Sequence, residues 1–211
     1  MFAERYWDYE DTGIFFLFVV LLTPALQLLV HVHLLRRSEL TNPSTGLRLA
    51  LVGFLSVTLY LVLRLRHHQP VLRPLGWVLP GPVYTLAALL LGISFASAVA
   101  LYLRLRNQSV PPIPILELLS LGLVFGPILE ESLFRGCLLP LLAQTTGNVA
   151  AVIITALLFA LFHKPANLAH WVSFTGTGLA YGWLRLASRS TIPGVFMHAS
   201  YNLSLFILSA S

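Results

Sequence analysis

Apolar residues run through this chain in long blocks, and charged residues mark where the blocks end. The first covers about 14–35, contains Pro24 and is closed by Arg36 and Arg37. The second, about 47–63, ends in LRLRHH, and a connection bearing proline and glycine (70–82) leads to a third at 83–103, closed by RLR at 104–106. PPIP at 111–114 stops any helix and opens a fourth block, which reaches Gly126-Pro127 and continues or restarts through FRGCLLPLLAQ. The fifth, about 148–163, ends at HKP because Pro165 cannot continue a helix. The sixth spans about 167–187 and the seventh about 191–209. A helix crossing a bilayer needs roughly 20 apolar residues, so the pattern predicts an all-α, polytopic membrane bundle of about seven transmembrane helices. No internal repeat or low-complexity linker interrupts it.

Composition strengthens that picture. Of 211 residues, 57% are hydrophobic and 10% charged, with a mean hydropathy of +0.81. Soluble domains carry roughly 25% charged residues. The net charge of +5 fits arginines at helix ends resting on anionic headgroups. These basic residues are scattered between apolar blocks, so no nucleic-acid partner is expected. Cys137 is the single cysteine, which excludes an internal disulfide. The N-terminus, MFAERYWDYED, is acidic where a signal peptide would be basic, so the first helix is expected to be retained. Seven alternating spans would split the thirteen lysines and arginines seven to six, which leaves orientation undecided.

The acids are few: Glu4, Asp8, Glu10, Asp11, Glu39, Glu117, Glu130 and Glu131, with none after position 131. Carboxylate chemistry within the membrane is therefore expected to rest on Glu117, Glu130 or Glu131. Glu117 lies just past PPIP, where it can snorkel to the interface. A charge at mid-helix costs roughly 2.5–3.5 kcal/mol on insertion scales, so such residues need partners or a purpose. In LEESLFRG (129–136), Glu131 and Arg135 are spaced i,i+4 and can pair on one face. Glu130 is turned by about 100° from its neighbour and is left free to act. The competing reading makes all three a satisfied packing network. Gly126, Pro127 and Gly136 bracket the cluster and suit close helix approach or a local break. Two histidines have i,i+4 companions: Phe159 with His163 in FALFH, and His198 with Asn202 in HASYN. His170 and Asn167 are candidates for a supporting shell, while His31, His33, His67 and His68 read as interfacial.

These residues resemble the CAAX prenyl protease and bacteriocin-processing (CPBP, or Abi) family. The resemblance rests on three motifs: E-E-x-x-x-R at Glu130, Glu131 and Arg135; F-x-x-x-H at Phe159 and His163; and H-x-x-x-N at His198 and Asn202. It covers roughly 113–206. It implies a helical catalytic core over 111–211, preceded by about three variable helices in 1–110. It also implies an intramembrane endopeptidase of the glutamic type, without a cofactor. Glu130 would be the general base, and His163 would help it position and activate a water. His198 and Asn202 would donate to the oxyanion, with Glu131, Arg135 and Phe159 in structural roles. The expected partners are membrane lipid and a membrane-anchored or lipidated protein or peptide. The expected location is the cell (inner) membrane, if the source is bacterial.

Other readings remain open at this level. Glu130, His163 and His198 could supply a His₂Glu zinc site, although HExxH is absent. The same residues could line a transporter path or proton relay, or serve a scaffold. An aspartyl dyad is excluded by the lack of acids beyond 131. Ser94 in GISFAS has no assigned histidine partner, and Cys137 reads as a packing residue.

Overall fold

Each apolar block is helical in the computed structural model, which describes residues 7–29, 43–68, 70–108 and 113–210. Among these residues there are seven helices and no strand. They are α1 (Tyr9–Leu29), α2 (Pro43–His67), α3 (Pro82–Leu105), α4 (a continuous rod from Ile115 to Thr146), α5 (Asn148–Phe162), α6 (Leu168–Ser188) and α7 (Ile192–Ala210). Several overrun the predicted blocks into their polar ends, because Arg64, Arg66 and His67 occupy the last turn of α2, where cations meet a favourable helix dipole. The sequence positions His31, His33, Arg36, Arg37 and Pro111 lie outside the described residues.

The break anticipated at Gly126-Pro127 takes an unexpected form. α4 does not stop there; it widens. Its register is α-helical over Ile115–Glu117, π-helical over Leu118–Phe125, α-helical over Gly126–Glu131, π-helical over Ser132–Leu138 and α-helical over Leu139–Thr146. In the first wide stretch the Gly126 N–H reaches back five residues to the Leu121 carbonyl. Wide turns of this kind are frequent at functional sites.

Small residues set the helix spacing, as expected where apolar surroundings give little drive for helix association. A Cβ on Gly92 would run into the Met197 carbonyl and the Ser200 hydroxyl, so α3 lies directly along α7. A Cβ on Gly178 would sit 3.0 Å from Ala156 Cα, and one on Gly182 would sit 2.9 Å from Val152 Cγ1, which brings α6 onto α5. The 70–81 connection is fastened to the start of α7 and to α4. Thr191 Oγ1 donates to Leu75 O at 2.6 Å, Ser190 Oγ to Val78 O at 2.6 Å, and Trp77 Nε1 to Ser132 Oγ at 3.0 Å.

Two polar clusters differ from the sequence reading. Asp11 does not lie on an acidic surface tail; it is fully buried. Asp8 and Asp11 form a reciprocal cap on α1, each side chain accepting the other's backbone N–H at 2.8–2.9 Å. Arg66 Nε (2.6 Å) and His67 Nε2 (2.9 Å) then reach Asp11 from α2. His67 is therefore part of an ion-pair network rather than a free interfacial ring. Glu117 likewise does not snorkel, because Arg48 of α2 comes to it and the carboxylate is buried.

Two of the described helical stretches are long and apolar enough to cross a membrane: Arg48–His67 and Pro82–Leu105, with mean hydropathies of 1.8 and 2.2. α3 shows what its outer face meets: Val83, Leu86, Leu90, Ile93 and Leu101 are all exposed. Soluble monomers rarely carry contiguous apolar patches beyond a few hundred Å². This outer face of α3 is of the kind that lipid can cover.

Candidate active site

The two glutamates go to different environments. Glu131 is fully buried and accepts Arg135 Nη1 at 2.9 Å, the i,i+4 contact. Arg135 is itself buried. Its Nη2 donates to Gly178 O at 3.0 Å, and its guanidinium carbon lies 4.6 Å from the Phe159 ring centroid and 4.8 Å from that of Tyr181. The cation is held by a carboxylate, a carbonyl and aromatic faces, which together compensate its removal from water.

Glu130, about a quarter-turn away, faces a cavity of about 160 Å³ bounded by α4, α5, α6 and α7. Its Oε2 has no hydrogen-bond partner and lies 3.5 Å from His163 Nε2. His163 is the C-cap of α5, and its Nδ1 is 2.9 Å from the Phe159 carbonyl. A carbonyl can only accept, so Nδ1 carries a proton. In the tautomer protonated at Nδ1 alone, Nε2 presents its lone pair towards Glu130; with both nitrogens protonated it donates to the carboxylate. In either form Nε2 and Glu130 Oε2 face the same space. Phe174 stacks on the ring from α6, centroids 4.6 Å apart, and fixes its plane.

α7 supplies the other wall. His198 stacks on Tyr181 (centroids 5.3 Å, interplanar angle 23°), and its Nδ1 lies 3.7 Å from Glu131 Oε1. Asn202, one turn on, donates Nδ2 to Gly122 O at 2.8 Å. That carbonyl is available for a covalent reason. In the π register Leu121 O takes the N–H of residue 126, so Gly122 O falls to residue 127, which is proline and has no N–H to give. Phe159 is wedged between the two imidazoles, 4.4 Å from His163 and 6.0 Å from His198.

The remaining candidates are placed as follows. Asn167 caps α6, its Oδ1 accepting from the His170 backbone N–H at 2.9 Å, and His170 is exposed, its ring 6.2 Å from Phe174. Neither lines the cavity. Ser94 is exposed on α3, and Cys137 is fully buried in the core. Glu130, His163 and His198, the His₂Glu candidates, all line the cavity, with the Nδ1 of His198 facing Glu131. Among the described residues no group of three His, Cys, Asp or Glu side chains is arranged to hold a metal.

Tyr181, Tyr201, Phe174 and Thr177 also line the cavity and were missed in the sequence. Tyr201 had a signal, being three residues after His198 on the same face. Tyr181 had a weaker one, flanked by Gly178 and Gly182, which mark a closely packed helix.

The family model described as Type II CAAX prenyl endopeptidase Rce1-like matches residues 111–204, the segment that carries all four cavity-lining polar residues of the three motifs. A Bacillus subtilis (strain 168) protein named "Putative membrane peptidase YdiL" is 28% identical over 85 residues, which is 40% of this chain and 34% of that protein. The chain thus matches about a third of the length of this curated relative. No solved structure matches the chain. Segment 111–204 is thus similar to the CAAX prenyl protease and bacteriocin-processing family.

Proposed function

We propose that the protein is an intramembrane endopeptidase that hydrolyses a peptide bond in a membrane-associated peptide or protein tail, with Glu130 as general base. The observation that carries this reading is the placement of Glu130 Oε2 and His163 Nε2 3.5 Å apart on the cavity wall, both acceptors when the ring is protonated at Nδ1 alone. A water between two acceptors spends both its hydrogens on them and keeps a lone pair for attack. Glu130 takes one proton as the water oxygen bonds to the scissile carbonyl carbon. His198 and the second N–H of Asn202 face the oxygen that becomes negative. Collapse of the tetrahedral intermediate breaks the C–N bond, and the proton held by Glu130 passes to the departing amine. The general base and the oxyanion donors are each worth about 10²–10⁴ in rate.

The apolar outer surface and the similarity to CAAX prenyl endopeptidases support a multi-pass membrane protein acting on a membrane-anchored or lipidated tail, with lipid as its surroundings. The test uses the full chain in proteoliposomes with an internally quenched farnesylated peptide ending in a CaaX sequence. It is joined by mass spectrometry of membrane-anchored proteins in host cells carrying wild type or Glu130→Gln. Wild type is expected to cleave in at least one arm and to resist chelators. Glu130→Gln is expected to abolish cleavage, and His163→Ala to slow it at least 10²-fold. Full cleavage by Glu130→Gln would sink the assignment, and loss of cleavage on chelation would replace it with a His₂Glu metalloprotease.

A further inference from the structure

We infer that Glu131 is a positioning residue for His198, in addition to being the counter-ion of Arg135. The inference rests on the peptidase reading above for its catalytic consequence, and on independent geometry for the contact. Glu131 sits where α4 meets α7. One oxygen, Oε1, takes Arg135 Nη1 at 2.9 Å and lies 3.7 Å from His198 Nδ1. The other, Oε2, is buried without a hydrogen-bond partner and points at Gly194, where a Cβ would lie only 2.7 Å from it. Gly194 and His198 are i,i+4, so one face of α7 first makes room for the carboxylate and then offers it an imidazole.

Arg135 alone does not require this arrangement. An arginine needs a carboxylate, and a carboxylate placed away from α7 would serve it equally well. Here α7 gives up a side chain at 194 to let Glu131 in, and His198 Nδ1 is buried with Glu131 as the facing acceptor. Tyr181 holds the plane of the His198 ring by stacking, and Glu131 Oε1 lies 3.7 Å from Nδ1. With Nδ1 facing the carboxylate, Nε2 is the nitrogen left for the cavity.

The other charged or titratable groups around His198 are Arg135 and Glu130 from α4, His163 from α5, and Tyr181 from α6. Tyr201 follows on α7 itself. The α3 contact, Gly92 against Met197 and Ser200, brings no charge. Among the described residues, the charged group facing Nδ1 is Glu131, at 3.7 Å. When Nε2 donates to an oxyanion the ring carries both protons, and Glu131 is the negative charge against it. A carboxylate behind a catalytic histidine fixes tautomer and orientation in this way in hydrolases of unrelated fold.

The experiment compares wild type, Glu131→Gln, Glu131→Asp, and the double variant Glu131→Gln with Arg135→Met, which removes the charge without leaving the arginine unpaired. Activity is expressed per folded molecule, and ¹⁵N NMR of the His198 ring reports which nitrogen is protonated. Glu131→Gln is expected to lower kcat while KM holds, by no more than His198→Ala does, about 10²–10³-fold. Glu131→Asp should recover part of that loss. The double variant should fold and remain slow, and Glu131→Gln should cost nothing further in a His198→Ala background. Wild-type kcat per folded molecule in the double variant would overturn the inference, as would an unchanged Nδ1 proton signal in Glu131→Gln. The ring signal does not depend on turnover. If wild type cleaves nothing, the peptidase reading falls and the Glu131–His198 relationship is still decided.

Discussion

Asn202 donates its side-chain amide to the carbonyl of Gly122 at 2.8 Å, and Pro127 is the reason that carbonyl is free to accept it. A missing N–H in one helix is answered by an amide from another. Asn202→Ala should leave the carbonyl unsatisfied and cost about 1–3 kcal/mol of stability, besides slowing cleavage. Adding Pro127→Ala supplies the N–H within α4. The pair is expected to recover melting temperature without recovering turnover, as measured by thermal unfolding in detergent alongside the cleavage assay.

Arg135 is held by three kinds of partner at once. Arg135→Ala strands a buried carboxylate, and removing one member of a buried pair costs about 3–5 kcal/mol. The expected outcome is loss of folded protein, read from membrane yield and monodispersity. Arg135→Lys should fail nearly as badly. An ammonium cannot bond Glu131 and Gly178 O in a planar fork while lying over Phe159 and Tyr181.

Gly194→Ala is the smallest change aimed at Glu131. Its methyl carbon would lie 2.7 Å from Oε2, closer than side chains tolerate, so the carboxylate must move. Overpacking of this kind costs about 1–3 kcal/mol. The substitution should lower both melting temperature and kcat. Gly53→Ala, inside α2 where added bulk meets nothing within 4 Å, is the control: it should leave kcat unchanged and, by helix propensity, not lower melting temperature.

Acid should loosen the start of α1. Burial works to raise the pKa of Asp8. The Asp11 backbone N–H and the Arg66 charge outweigh it and hold the carboxyl below its ordinary 3.8. A folded-state pKa below the unfolded one contributes stability that is fully present above the unfolded value and is lost as pH falls through the folded one. Melting temperature should therefore decline between about pH 4 and about pH 2 in wild type, and less steeply in Asp8→Asn.

The parts legible in the sequence were those governed by a single helix. The seven blocks, the pairing of Glu131 with Arg135 and the divergence of Glu130 follow from periodicity and the 3.6-residue turn. What depended on a second helix was hidden. Asp11 read as tail because its partners, Arg66 and His67, lie 55 and 56 residues away on α2. Glu117 read as interfacial because Arg48 is still more remote, 69 residues away in sequence. The link from Pro127 to Asn202 needed the π register of α4, which no apolar pattern encodes. His198 shares the cavity with Glu130 as expected of a companion, but the approach of its Nδ1 to Glu131 needed α7 to lie against α4 at Gly194, which one helix alone does not reveal.

Gly178 and Gly182 lie against Ala156 and Val152, and Phe159 and His163 follow on the same rod of α5. A rigid helix resting on a fulcrum is a lever. Thickening that fulcrum by one methyl group, as in Gly178→Ala, tilts the far arm, and the far arm carries the imidazole that faces Glu130. The spacing of the two acceptors is thus calibrated two turns away, by residues with no chemistry of their own. Sequence drift at those small positions would retune the reaction without touching a reacting group.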